Sequence, residues 1–203
     1  MRKPRIAIDL PDPSRAHGAW VQFFCSAAAG AMLGGRGGIE IPLLVGSGFA
    51  GAFLVGAALA VGLHRKARRF AGGLALTVAG PAGALLLGAD PSFLVVAGAT
   101  LAPALGAVWL AKRRGILSRA TLLAATAAVV AVAPASALAG GASWTAAAVL
   151  FALLWPVFSW RGIRISARLE GSGSWDRAAL RRSGLREAAI AAAWTVVAVF
   201  VCS

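Results

Sequence analysis

Side chains able to do chemistry are scarce in this chain, and the first cluster of them stands at the mouth of the first long apolar run. Arg15, His17, Trp20 and Gln22 lie within two turns of one another if that run is a helix. An arginine can hold an anion through its forked N–H donors, and a histidine can exchange a proton near neutral pH. A tryptophan can anchor the group at a membrane interface. The second cluster is Arg164, Arg168, Asp176 and Arg177, in the polar stretch 161–187. The pairs Arg164/Arg168, Arg177/Arg181 and Arg182/Arg186 are each spaced i,i+4, which puts both members on one helical face. Guanidinium forks match phosphate oxygens, so a lipid headgroup or a diphosphate is the ligand chemistry of that stretch. The same arginines serve equally as a topology signal that touches anionic lipid.

Other chemistry finds no support. His17 and His64 are the only histidines, and a lone histidine with no second ligand at usable spacing cannot hold a metal. Cys25 and Cys202 both fall inside apolar runs and read as small core residues. No Asp, Glu, Lys, Arg or His lies inside any apolar run away from its ends, so a pump with a buried carboxylate relay is not indicated. The residues point to no catalytic set, no metal and no cofactor.

The elements that must position these clusters are membrane helices. The chain has 203 residues, 59% of them hydrophobic and only 13% charged, with a mean hydropathy of +0.79. Soluble domains run nearer a quarter charged. Several apolar runs reach the roughly 20 residues that a bilayer-spanning helix needs. Helices apolar all round cannot each be buried in so short a chain, which argues against a soluble helical core. The expected fold is therefore all-α, a polytopic transmembrane helical bundle of about seven spans. They fall near 18–35, 41–63, 70–88, 92–111, 116–139, 142–160 and 188–203. The last, at 16 residues, rises only about 24 Å as a helix. Residues 1–17, with Pro4, Pro11 and Pro13, form a polar leader on the cytoplasmic side. Its Asp9 and Asp12 and its length favour a retained first helix over a cleaved signal peptide. Residues 161–187 form an arginine-rich cytoplasmic loop, hinged at Gly171-Ser172-Gly173-Ser174 between two short interfacial helices.

Charge sets the orientation. The net charge is +13, and 19 of the 20 basic residues fall in the leader and the connections after spans 2, 4 and 6. Only Arg36 lies on the opposite side. The positive-inside rule then puts the N-terminus in the cytoplasm and the C-terminus outside. These positives meet anionic lipid headgroups of the bilayer and not nucleic acid. Trp20, Trp109, Trp144 and Trp160 sit at span ends as an interfacial belt, whereas Trp155 and Trp194 lie deeper. Helices in lipid associate through small residues. Gly48, Ala52, Gly56 and Ala60 form such a stripe in span 2, Gly80, Ala84 and Gly88 in span 3, and Gly98, Ala102 and Gly106 in span 4. Pro81, Pro103, Pro134 and Pro156 place one kink in each of spans 3 to 6, either around a cavity or as ordinary bends.

The run Arg15-Ala16-His17-Gly18-Ala19-Trp20, directly before a first membrane helix, resembles the signature of YwiC-like bacterial membrane proteins. Arg15, His17, Gly18, Ala19 and Trp20 match; Ser14 stands where that pattern has proline and Ala16 where it has glutamate. The basic cluster at 64–69 is similar to the family's layout. The resemblance implies a multi-pass membrane protein and carries no assigned reaction.

Three functions fit. One is binding or transport of a hydrophobic small molecule or lipid. Another is a non-catalytic accessory or assembly subunit, with other membrane proteins as partners. The third is a membrane transferase similar to UbiA-type prenyltransferases, whose two aspartate-rich motifs hold magnesium and diphosphate. This chain lacks them, with only Glu170 and Asp176 in its last loop. Reporter fusions at Trp160 and Gly140 are expected to read cytoplasm and exterior respectively, and the reverse pattern would contradict the orientation.

Overall fold

The computed structural model describes residues 17–35, 38–61, 67–115, 118–171 and 177–203. All regular structure among them is helical: α1 (His17–Gly34), α2 (Glu40–Val61), α3 (Ala67–Leu86), α4 (Phe93–Arg114), α5 (Arg119–Val130), α6 (Val132–Ala139), α7 (Trp144–Gly171) and α8 (Arg177–Cys202). Five helices are long and apolar enough to cross a membrane, counting Arg119–Ala139 as one; Ala19–Gly34 and Ala188–Cys202 are shorter apolar stretches. Glycines at positive φ close the turns after α3, after α4 and after α6: Gly88 (84°), Gly115 (91°) and Gly141 (84°). The turn from α4 to α5 is stapled by side chains. Ser118 Oγ caps α5 by accepting the Thr121 N–H at 3.3 Å, and the Thr121 hydroxyl donates to the Gly115 carbonyl at 2.9 Å.

One element differs from the sequence expectation. The stretch 161–187, expected as a loop with short helices, is helical from 161 to 171 and from 177 to 187, as continuations of α7 and α8. A run of arginines ends an apolar span but does not end a helix. Arg, Ile, Ser, Ala, Leu and Glu all continue the i→i−4 ladder, and no proline interrupts it between Trp160 and Gly171. The kink expected from Pro134 appears as a break at Ala131, which divides the fifth span into α5 and α6. Pro134 has no N–H to give the Val130 carbonyl, and its ring crowds that turn. Of the arginine-rich stretch, 172–176 lies outside the described residues, as do leader positions 1–16.

The bundle is built around α6. Every residue from Val132 to Ala139 is buried. The helix is walled by α1, α2, α4 and α7, with α5 continuous beneath it. Such a helix needs small residues on its neighbours, and α1 supplies them. A Cβ on Gly30 would lie 2.8 Å from Ser136 Cβ and press on the Ala133 carbonyl, while one on Gly34 would lie 3.1 Å from Gly140 Cα. Gly30 meets Ala133 and Gly34 meets Ala137, so α1 and α6 run in the same direction. Helices α2 and α3 form a second close pair of opposite direction: Gly51 abuts Gly73 and Thr77, and Gly80 abuts Gly48. Small residues are what permit both approaches, as in helix pairs within lipid. The stripe expected in span 4 does not pack. Nothing lies within 4 Å of a Cβ on Gly98 or Gly106, and Gly98 and Ala102 face outward.

The turn between α3 and α4 is latched to the end of α6. Asp90 N–H donates to the Ala139 carbonyl at 3.1 Å, and Ala89 and Phe93 are buried beside it. The Ser92 N–H donates to Asp90 Oδ1 at 2.8 Å, which with the Ser92 hydroxyl holds this carboxyl below its usual pKa. Elsewhere α3 and α4 are peripheral, each with 17% of its most apolar window buried. Leu86, Val78, Leu101 and Phe200 are exposed apolar side chains on the outer surface.

Two glycine substitutions separate the close crossing from an open position. Gly30→Ala is expected to destabilise by roughly 1–3 kcal/mol through overpacking against α6, although alanine is the better helix former. Gly98→Ala is expected to be neutral or slightly stabilising. Thermal unfolding of the detergent-solubilised chain measures both, and equal effects would contradict the α1–α6 contact.

Candidate functional site

Because α4 leans on the bundle through few residues, it leaves a cleft on each side. The first lies between α2, α4 and α5 and encloses ≈ 160 Å³. Its α4 wall is the stripe Thr100, Ala104, Ala107, Val108 and Ala111, at the 3–4 residue spacing of one helical face. Thr121, Ala125 and Ala128 of α5 face it, and Phe23, Phe49 and Phe53 close its inner side. Among the described residues Thr100 and Thr121 are the polar ones in the lining, and both hydroxyls already donate to backbone, Thr100 to the Val96 carbonyl at 2.7 Å. The site can therefore hold an apolar group, and each hydroxyl can still accept a hydrogen bond. The second cleft, ≈ 360 Å³, lies between α4, α6 and α7, where Pro103 and Pro134 face one space with Trp144 and Phe151 on its far wall. Two of the four kinking prolines thus border open volume.

The residues singled out in the sequence fall in different surroundings. Trp20 packs its ring on Phe53 at 5.3 Å and on Phe23 at 5.8 Å, both of which line the first cleft, so it backs the aromatic wall of that space. Gln22 is two residues on, about 200° around the helix, and points elsewhere. Its amide donates to the Phe158 carbonyl of α7 at 3.4 Å. The structure therefore does not bring Trp20 and Gln22 together. Arg164 is exposed and lies over the Trp160 ring, 5.2 Å from its centre. His17 opens α1, Arg168 lies in the last turns of α7 and Arg177 opens α8, but their side chains are outside the described set. Arg15 and Asp176 are also outside the described residues.

Sequence reasoning missed Arg161. It was counted among the loop arginines, yet it is only 6% exposed. Ala147, Leu150, Leu154 and Phe158 form the buried stripe of α7, and Arg161 is the next position at the same spacing. That continuation of a buried stripe past the apolar boundary was the available signal. Arg161 lies within electrostatic reach of Cys25 on α1, whose thiol contacts the Thr195 hydroxyl of α8. With Gln22, these residues form a polar seam joining α1, α7 and α8. Among the described residues no group of three His, Cys, Asp or Glu side chains could hold a metal ion.

The deep tryptophans also find roles. Trp194 Nε1–H donates to the Leu153 carbonyl at 3.0 Å, in the turn that Pro156 perturbs, and Trp155 Nε1–H donates to the Leu123 carbonyl at 3.3 Å. Each ties one helix to the backbone of another. The basic side chains described lie at one end of the bundle: Arg68 and Arg69, Lys112 to Arg114, Arg119, Arg161, Arg164 and Arg186. The acids whose side chains are described, Glu40 and Asp90, lie at the other. No family model, curated protein or solved structure matches the chain.

Trp194→Phe keeps the ring and removes the donor. It is expected to cost about 1 kcal/mol of stability, read as a lower unfolding temperature in detergent. An unchanged temperature would mean that the indole N–H contributes nothing.

Proposed function

We propose that this chain is a seven-span protein of a bacterial cytoplasmic membrane that binds or transports a hydrophobic small molecule or lipid, held in the cleft between α2, α4 and α5. The observation that carries this reading is the contact of Trp20 with Phe53 and Phe23. It couples the Arg15–Trp20 motif, on which the resemblance to YwiC-like proteins rests, to the wall of an apolar space. Ligand sites are concave and mostly apolar, with a few polar groups that set orientation, and this cleft has that make-up. The segregation of described basic side chains to one end supports a cytoplasmic N-terminus, with anionic headgroups at that end. In this reading Arg15, His17, Arg164, Arg168, Asp176 and Arg177 border the cytoplasmic interface and meet headgroups.

A second reading has its own observation. At its two glycines, the small-residue stripe Gly98, Ala102 and Gly106 on α4 has no neighbour within 4 Å among the described residues. A helix of another membrane protein could approach there, as an accessory or assembly subunit would require.

Native mass spectrometry of the chain extracted in mild detergent tests the first reading. Retained hydrophobic adducts are expected on the unaltered chain and are expected to be lost in Ala128→Phe, which fills the cleft. A clean monomer without adducts would contradict it. Stoichiometric co-purification of a second membrane protein, lost on Gly98→Leu, would favour the other.

A further inference from the structure

Resting on the cleft reading, we infer that the occupant of the α2/α4/α5 cleft is a long-chain phosphate ester, its tail between α4 and α5 and its phosphate at the Arg114 mouth. Size selects the tail. A cavity of about 150 Å³ holds one benzene ring, and drug-sized ligands need about 300 Å³ or more. At ≈ 160 Å³ the cleft admits about a six-carbon length of a slender chain, not a fused ring system. Its walls agree, since Ala104, Ala107, Ala111, Ala125 and Ala128 present methyl groups along two facing helices. That lining extends along both helices, from Thr100 to Ala111 on α4 and from Thr121 to Val129 on α5, and so forms an elongated slot.

Charge selects the headgroup. The cleft-facing stripe of α4 runs Thr100, Ala104, Ala107, Ala111, and its next position at the same spacing is Arg114. On the facing helix the lining runs from Ala128 through Ala125 to Thr121, whose hydroxyl lies 2.7 Å from Ser118 Oγ. Past the lining, this end of the slot runs to exposed Arg114, with exposed Arg119 across the turn, whereas Lys112, two residues back, lies about 200° around α4 from Arg114. Arg113 is turned to the outer surface, 4.6 Å above the Trp109 ring. A carboxylate carries a single charge, whereas a phosphate monoester carries about −1.5 to −2 and three acceptor oxygens. Two arginines and two hydroxyls at one end of an apolar slot match the second better, and the arginine fork suits its geometry.

The test is titration of the full chain in a neutral detergent with hexadecyl phosphate, hexadecanol, hexadecanoate and inorganic phosphate. Hexadecyl phosphate is expected to bind about tenfold tighter than the alcohol or the carboxylate, and inorganic phosphate to give no measurable binding. Arg114→Gln with Arg119→Gln is expected to bring the phosphate ester to the level of the alcohol. Ala128→Phe is expected to abolish binding of both; if it does not fold, Ala125→Leu replaces it. Equal affinity for phosphate ester and alcohol, abolished by Ala128→Phe, would overturn the headgroup assignment and leave the cleft reading standing. Phosphate-ester binding that survives the filled cleft would overturn both. Inorganic phosphate binding as tightly as the ester would show a free-anion site and overturn the assignment of a tail.

Discussion

The close contact between α1 and α6 is the constraint on which the rest of the bundle depends. α6 is buried over its whole length, and it is flanked by helices on every side. In lipid there is no hydrophobic force to press helices together, so packing distance decides. Gly30 and Gly34 let α1 lie against the backbone of Ala133, Ala137 and Gly140 with no side chain between them. Once that pair is set, α7 and α8 are tied on through Gln22, Trp155 and Trp194, each donating to a carbonyl on another helix. The turn before α4 is latched to the end of the same central helix through Asp90 and Ala139.

What this arrangement leaves loose is as informative as what it holds. The α2–α3 pair is tight within itself, and α4 is held at its start by buried Phe93 and along its length mainly by α5. Two open volumes among the described residues therefore lie along α4, one on each of its sides. The prolines deepen it. Pro134 divides the fifth span, and Pro103 faces the same space from α4. A chain with no ionisable group deep in the cleft lining offers such a space to hydrocarbon and keeps charge for its rim.

Much of the helical order was legible because apolar runs and their glycine or arginine boundaries are local signals. The turns at Gly88 and Gly141 fall where glycine follows an apolar run, and that at Gly115 where it follows a run of basic residues. Hydroxyls inside the helices behave as local chemistry dictates: Thr77, Thr100 and Thr195 each donate to the carbonyl four residues earlier. The rest needed tertiary information. Arginine content marked 161–187 as a break in hydropathy, but helix propensity carries α7 through to Gly171. Small residues are so frequent here that their spacing could not say which stripe packs; Gly48 and Gly80 do, whereas Gly98 and Gly106 do not. The candidate cleft was invisible in the sequence, because its lining of alanines and phenylalanines comes from four helices far apart in the chain. Trp20 was legible as an interfacial anchor, but its contact with Phe53 depends on how α1 and α2 are rotated.

The most direct measurement is an experimental structure of the chain in a lipid nanodisc, with attention to the space between Phe53 and Ala128. Elongated density along the slot, rising toward Arg114, is the predicted result. A helix α4 closed onto α2 and α5 with no space between them would contradict it.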